Sequence, residues 1–229
     1  MSTKKNDIIE LLYTGYTHGS VFDSNIEADL KAAKSEAKAK QTIIVIGQKM
    51  VPRGLDAAIE GKEEGKEYKI DLKAKDAFGE RDRTLLKTIP MKVFTDKQIM
   101  PKPGMAFIMD EALVKVVAVS GGRVITDFNN PLAGKDVTYK YIIKRILTDD
   151  KEKAAALFEN LLRFVPQFDV NDKEVTVKGQ KALELFVNAF KNKFKEILGK
   201  DLKFSEVKPV ETEKKVEEKK ESDSKKSQA

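Results

Sequence analysis

Between residues 84 and 137 the chain changes texture, and this change restricts the fold more than any other feature. Pro90, Pro101, Pro103, Gly104, Gly121, Gly122, Pro131 and Gly134 punctuate short apolar runs at Ala106–Met109, Leu113–Val119 and Val124–Phe128. Breakers at that density end each run after a few residues, the pattern of a small β-rich subdomain. On either side, apolar residues recur with the two-residue period of a strand. Tyr68, Ile70 and Leu72 come before, and Tyr139, Tyr141 and Ile143 after. A structureless loop of about fifty residues inside one domain is disfavoured. The stretch therefore predicts a subdomain inserted between two strands of another.

The host reads as follows. Residues 7–23 form a hairpin, with Ile9, Leu11 and Tyr13 on one face, His18-Gly19 at the turn and Val21 beginning the return. The Ala/Lys/Glu-rich segment from Ile26 to Lys40 predicts a short exposed helix. Ile43–Ile46 reads as a buried strand. Leu55–Glu60, after Gly54, has the Leu-x-x-Ala-Ile pattern of a short helix packed on a sheet. Gly65 then turns into the strand Glu67–Leu72.

A third region starts near Asp149. Ala155, Leu157, Phe158, Leu161 and Leu162 have helical spacing. Val170 to Val177 reads as strand turning at Asn171-Asp172. Ala182, Leu185, Phe186, Ala189, Phe190, Phe194 and Leu198 form an apolar stripe that ends at Gly199. A stripe this wide needs a cover, either the preceding helix or a second copy of the chain. Leu202–Val207 predicts a last strand. The expected domains are 1–83 plus 138–148, the insert 84–137, a C-terminal α/β domain 149–208, and a disordered charged tail 209–229 whose few apolar residues cannot form a core.

Composition removes several classes of function. The 229 residues contain no Cys, no Trp and one His, so a disulfide framework, a thiolate site and a multi-histidine metal centre are all excluded. The net charge is +6, but 35% of residues are charged with both signs interspersed, which describes a solvated surface. No zinc finger, phosphate loop or RNP-type motif accompanies it, so no nucleic-acid partner is expected. The longest apolar run, Ile43 to Ile46, is far short of a membrane span. The opening residues lack the apolar stretch of a signal peptide, and a cytoplasmic location without a membrane partner is expected.

Three stretches carry the chemistry: Tyr13-Thr-Gly-Tyr-Thr-His-Gly-Ser-Val-Phe22-Asp23, Gly47-Gln-Lys-Met-Val51-Pro-Arg-Gly54-Leu55, and Asp76-Ala-Phe78-Gly79. In this order and spacing they resemble the FKBP family of peptidyl-prolyl isomerases. Ile89-Pro-Met-Lys-Val-Phe94 and Leu132-Ala-Gly-Lys-Asp-Val137 narrow the resemblance to the SlyD-like branch, which carries an extra domain in its flap. The third region resembles that of the long archaeal members. The resemblance implies an α+β fold: an FKBP-like antiparallel sheet wrapped on a short helix, an inserted small β-rich domain, and a C-terminal α/β domain. It implies an isomerase pocket made by Tyr13, Phe22, Asp23, Ile44, Val51, Pro52, Leu55, Phe78 and Tyr139. No cofactor and no metal are implied.

Such a pocket needs no nucleophile. The X–Pro bond turns slowly because amide resonance sets a barrier of about 18–20 kcal/mol. The twisted state carries less charge separation, so an apolar, water-poor site favours it. Phe78 departs from the family, which places a Tyr there. The lost hydroxyl is worth about 0.5–1.5 kcal/mol. His18 reads as a turn residue.

The resemblance also implies that the insert holds unfolded segments. Met91, Val93, Phe94, Met100, Met105, Met109 and Leu132 are the expected contacts, since flexible methionines accommodate varied partners. Phe107, Val116 and Ile125 are expected to fill the insert's core. The implied partners are unfolded or partly folded proteins with Xaa-Pro bonds, and the apolar stripe of the third region leaves a homodimer through the C-terminal domain open. The competing reading is a holdase with a vestigial isomerase pocket. A nickel metallochaperone fits poorly, because the tail has neither His nor Cys.

Overall fold

The computed structural model describes residues 1–109 and 112–207. The expected disordered tail, 209–229, lies outside the described residues. The chain divides after Ile146 into two compact units.

The first unit opens with a long strand, β1 (Ile8–Thr17), that turns back into β2 (Ser20–Ser24). Helix α1 (Glu27–Ala32) follows. It stops well short of Lys40, because Leu30 is its single buried residue and no apolar stripe holds a longer helix down. β3 (Ile43–Val45), α2 (Arg53–Ile59) and β4 (Glu67–Leu72) come next. The insert supplies β5 (Leu86–Pro90), α3 (Met91–Thr95), β6 (Ala106–Met109), β7 (Ala112–Ser120) and β8 (Arg123–Asp127). The chain then returns as β9 (Val137–Ile146).

β9 is the hub. The first sheet runs β2-β1-β9-β4, with β3 on the free part of β1, and its pairings are antiparallel. Alternation along β9 puts Val137, Tyr139, Tyr141 and Ile143 on the covered face, against Leu55 and Ile59 of α2. Gly54 lies inside the first turn of α2, not ahead of it. A Cβ there would lie 2.5 Å from Leu72 Cδ2 and 3.0 Å from the Asp76 carbonyl oxygen, so a larger residue would have to displace the Leu72 side chain. The buried Asp56 is satisfied by the N–H groups of Gly47 at 2.8 Å and Lys49 at 3.0 Å. The Tyr141 hydroxyl donates to the Ala58 carbonyl at 3.1 Å and pins α2 to the sheet. Burial pushes the Tyr141 phenol up to about 12.

The insert is a separate antiparallel sheet, β5-β8-β7-β6. Its entry and exit segments are strapped together. Gly134 N–H donates to Gly79 O at 2.8 Å. The Asn129 side chain accepts from Asp82 N–H at 2.8 Å and donates to Asp82 O at 2.9 Å. Arg81 pairs with Asp127 beside them. β5 and α3 have no counterpart in the expected elements, since Pro90 breaks the pattern between them.

The second unit holds α4 (Asp150–Leu162), β10 (Gln167–Val170), β11 (Glu174–Gly179), α5 (Ala182–Leu198) and β12 (Asp201–Glu206). β10 pairs antiparallel with β11, and β11 pairs parallel with β12, with α5 as the crossover. Phe158 of α4 meets Phe194 of α5 at 4.8 Å and Phe168 of β10 at 5.1 Å. Of the expected α5 stripe, Phe194 is buried, whereas Leu185 is 77% and Phe186 49% exposed.

Candidate active site

The β1–β2 turn places the first wall. His18 (φ 48°) and Gly19 (φ 79°) both take the left-handed conformation that a tight two-residue hairpin requires. The register slips between Gly15 and Tyr16. Phe22 lies over Gly15, and a Cβ on Gly15 would be 2.5 Å from Phe22 Cζ. The sequence reading missed Gly15; its signal is a glycine inside an otherwise bulky strand pattern.

Two rings crowd around Phe22, and a third reaches it through Tyr139. It meets Phe78 edge-on at 5.7 Å and Tyr139 edge-on at 5.8 Å. Tyr13 tilts against Tyr139 at 6.1 Å. Edge-to-face pairs of this kind are worth about 0.5–1.5 kcal/mol beyond their area. The Tyr13 hydroxyl donates to Asp23 Oδ2 at 2.8 Å. Burial, and then the Asp23 carboxylate, hold the Tyr13 phenol well above its ordinary range, and burial does the same for Tyr139. Both phenols therefore stay protonated as donors.

The structure brings most of the expected set together. Ile44, Leu55 and Tyr139 are in the buried core of the first sheet, with Tyr13, Phe22, Val51 and Phe78 half-buried against it. Asp23 joins them through Tyr13. Pro52 is half-buried and stands at the N-terminal flank of α2, next to Val51. The result is an aromatic and aliphatic surface with a carboxylate at its rim.

The insert is less uniform. Met100 (73% exposed), Met105 (39%) and Val93 (38%) present apolar surface. Phe94 does not: it is 1% exposed, locked with Val116 and Val124 in the small core and edge-on to Phe107 at 5.5 Å. Its place on the inner side of α3 removes it from any surface. Met91 and Met109 also pack against this core, and Leu132 is half-buried in the exit segment. Phe107 and Val116 serve the core as expected, but Ile125 is 39% exposed and lies outside it.

The sequence reading overlooked the opposite face of the insert. Ile108 and Leu113 sit directly across from each other on β6 and β7, 78% and 50% exposed. Leu113 and Val117 line a groove of about 730 Å³ with Ala106, Lys115 and Arg81. The signal was present: Leu113, Val114, Val116 and Val117 are apolar on both strand parities, which marks a strand that wants both faces covered.

Among the described residues no cluster of His, Cys, Asp or Glu could hold a metal ion, and no helix is long and apolar enough to cross a membrane.

Residues 1–95 match the profile of the FKBP-type peptidyl-prolyl cis-trans isomerase family, and residues 87–132 match that of the FKBP26 IF domain. A short-type peptidyl-prolyl cis-trans isomerase of Methanocaldococcus jannaschii is 27% identical over 65% of this chain and 97% of its own length. The SlyD isomerase of Treponema pallidum is 32% identical over 50% of this chain and 67% of its own. For Escherichia coli K12 SlyD the identity is 29%, over 44% of this chain, and the match spans only 54% of that protein. On these likenesses the chain belongs to the FKBP-type peptidyl-prolyl cis-trans isomerase family.

Proposed function

We propose that the chain catalyses rotation about Xaa-Pro bonds without covalent chemistry, on the surface formed by Tyr13, Phe22, Asp23, Ile44, Val51, Pro52, Leu55, Phe78 and Tyr139. The observation that carries this is the Tyr13–Asp23 hydrogen bond beside the Phe22, Phe78 and Tyr139 rings. The rings strip water from the imide, so the less polar twisted state is favoured over the resonant ground state. Leu55 and Ile44 support the floor from beneath. Asp23, oriented by Tyr13, supplies a fixed negative charge at the rim that complements the changing dipole of the rotating bond. The test is a protease-free isomerisation assay of the full chain on a short Xaa-Pro peptide. No acceleration over solvent would leave the holdase reading, which Phe78 favours, as the correct one.

The insert is the client-holding element in this reading. Its apolar faces, with Met100, Met105 and Val93 on one part and Ile108, Leu113 and Val117 on another, exceed what its small core needs. The clients are unfolded or partly folded chains with Xaa-Pro bonds, in the cytoplasm. The exposed Leu185 and Phe186 on α5 support a homodimer through the second unit. Sedimentation of Leu185→Glu against the unchanged chain reads this out, and a strict monomer for the unchanged chain ends the dimer.

A further inference from the structure

β1 is paired with β9 along one edge, but its other edge is shared. β3 takes Ile8, Ile9 and Glu10, and β2 takes Thr14 to Thr17. Between them, Leu11 to Tyr13 faces a gap in the sheet. Buried main-chain groups left bare there would be destabilising. This gap lies directly behind Tyr13.

Asn25 fills it. Its Oδ1 accepts from the Tyr13 N–H at 2.8 Å, and its Nδ2 donates to the Leu11 carbonyl at 2.7 Å. Its own backbone N–H donates to the Tyr13 carbonyl at 3.2 Å. The remaining group at the gap, Leu11 N–H, donates to Thr42 O at 2.9 Å. A carboxamide has an acceptor and a donor in one plane, so here it stands in for the missing peptide unit of a neighbouring strand. The partners fix its orientation, because the flipped amide would set donor against donor. Asn25 is 8% exposed, so water does not compete for these bonds. Aspartate would lose the donor, alanine both groups, and glutamine would overreach by one methylene.

The gap-filler is two residues from Asp23 and three from Phe22. One residue thus ties the strand carrying Tyr13 to the strand end carrying Phe22 and Asp23. The Ser24 hydroxyl adds a second tie, donating to the Tyr13 carbonyl at 3.1 Å. We propose that Asn25 is a positioning residue of the isomerase site: its side-chain amide replaces a strand's peptide group beside Tyr13 and so sets the Tyr13 hydroxyl on Asp23. This rests on the isomerase reading of the pocket, and Asn25 itself touches no substrate.

The test compares the full-length chain with Asn25→Ala, and with Ile8→Ala as a control for lost stability at the far end of β1. Two quantities are read at neutral pH and at a temperature where all three are folded. They are kcat/KM on a short Xaa-Pro peptide and the carbon-13 resonance of the Tyr13 ζ carbon, which reports the hydroxyl's hydrogen bond. In Asn25→Ala, kcat/KM falls about 10- to 100-fold, the scale of a small misplacement in a site, and the ζ-carbon resonance moves toward that of a solvated phenol. Ile8→Ala changes neither. An unmoved resonance in Asn25→Ala overturns the proposal, as does an Ile8→Ala that loses as much activity. If Asn25→Ala does not fold, Asn25→Asp takes its place, since it keeps the acceptor for Tyr13 and lacks the donor for Leu11. The same two readings then decide. A full-length chain that isomerises no peptide removes the functional reading, while the Tyr13 resonance still judges the role of Asn25.

Discussion

Along β9, Val137, Tyr139, Tyr141 and Ile143 are all 3% exposed or less, and the other face of that strand meets water. Along β7, Val114 and Val116 are fully buried, yet Leu113 on the opposite face is 50% exposed and Val117 44%. Both strands are rich in apolar residues. The difference is in what lies across from them. β9 has α2 on its apolar face, and on the other face Thr138, Lys140 and Lys144 with a half-buried Ile142. β7 has the small Phe94, Val116 and Val124 core on one side and an open groove edged by Arg81 and Lys135 on the other. The first arrangement holds side chains in one geometry, which a pocket needs. The second leaves adaptable apolar surface, which suits partners of varied sequence.

The strongest test of that contrast removes the second region. Replacing residues 84–137 by a short loop should lower catalysis of proline-limited protein refolding about 100-fold, the scale of a lost second attachment point. Turnover of a short Xaa-Pro peptide should stay largely intact. A folded deletion variant that refolds a protein substrate as fast as the full chain would show that the insert's exposed face is idle.

Next in size is a change inside the ordered region. Phe22→Ala removes the ring that Phe78, Tyr139 and Gly15 surround. Peptide turnover should fall about tenfold or more, with a stability loss below the roughly 3–5 kcal/mol of a fully buried Phe. Unchanged turnover in a folded Phe22→Ala variant ends the site assignment, as measured by the same peptide assay.

A smaller effect tests the ordered region by pH. Glu10 of β1 is 3% exposed and accepts from Lys144 at 2.6 Å and Arg145 at 2.8 Å. The Lys144 hydrogen bond leads in holding its carboxyl down to about 2, against burial, which works to raise it. The folded value lies below the unfolded one of about 4.3. The stabilisation is therefore complete above that value and is lost as pH falls toward 2. Because Lys144 and Arg145 keep much of their surface in water, about 1 kcal/mol is at stake. Urea unfolding should show Glu10→Gln weaker than the unchanged chain at neutral pH and equal to it in strong acid. A pH-independent gap would mean that packing, not charge, is what Glu10 contributes.

The smallest expected change is Phe78→Tyr. Restoring one hydroxyl adds a hydrogen bond of about 0.5–1.5 kcal/mol, so peptide turnover should be equal or modestly higher. A marked loss would show that the Phe22–Phe78 edge contact needs a bare ring.

Much of this was legible in the residues themselves. Alternation located β4 and β9, the short apolar runs between breakers located β6, β7 and β8, and the residues that the family resemblance singled out come together from stretches far apart in the chain. Period and breakers are local properties, and they survive without tertiary help. What they leave open is which apolar face finds a cover. Phe94 and Met100 look alike in sequence, six residues apart, but Phe94 turns inward from α3 and Met100 projects into solvent. The same holds for Leu185 and Phe194 on α5. Asn25 shows the limit most clearly. Nothing local distinguishes it from any turn asparagine, because its role depends on a gap between β3 and β2 that exists only once both have paired with β1. The sequence determined most of the elements and the types of residue in the candidate site. The tertiary structure decided burial and hydrogen-bond partnership, since both depend on groups brought together from distant parts of the chain.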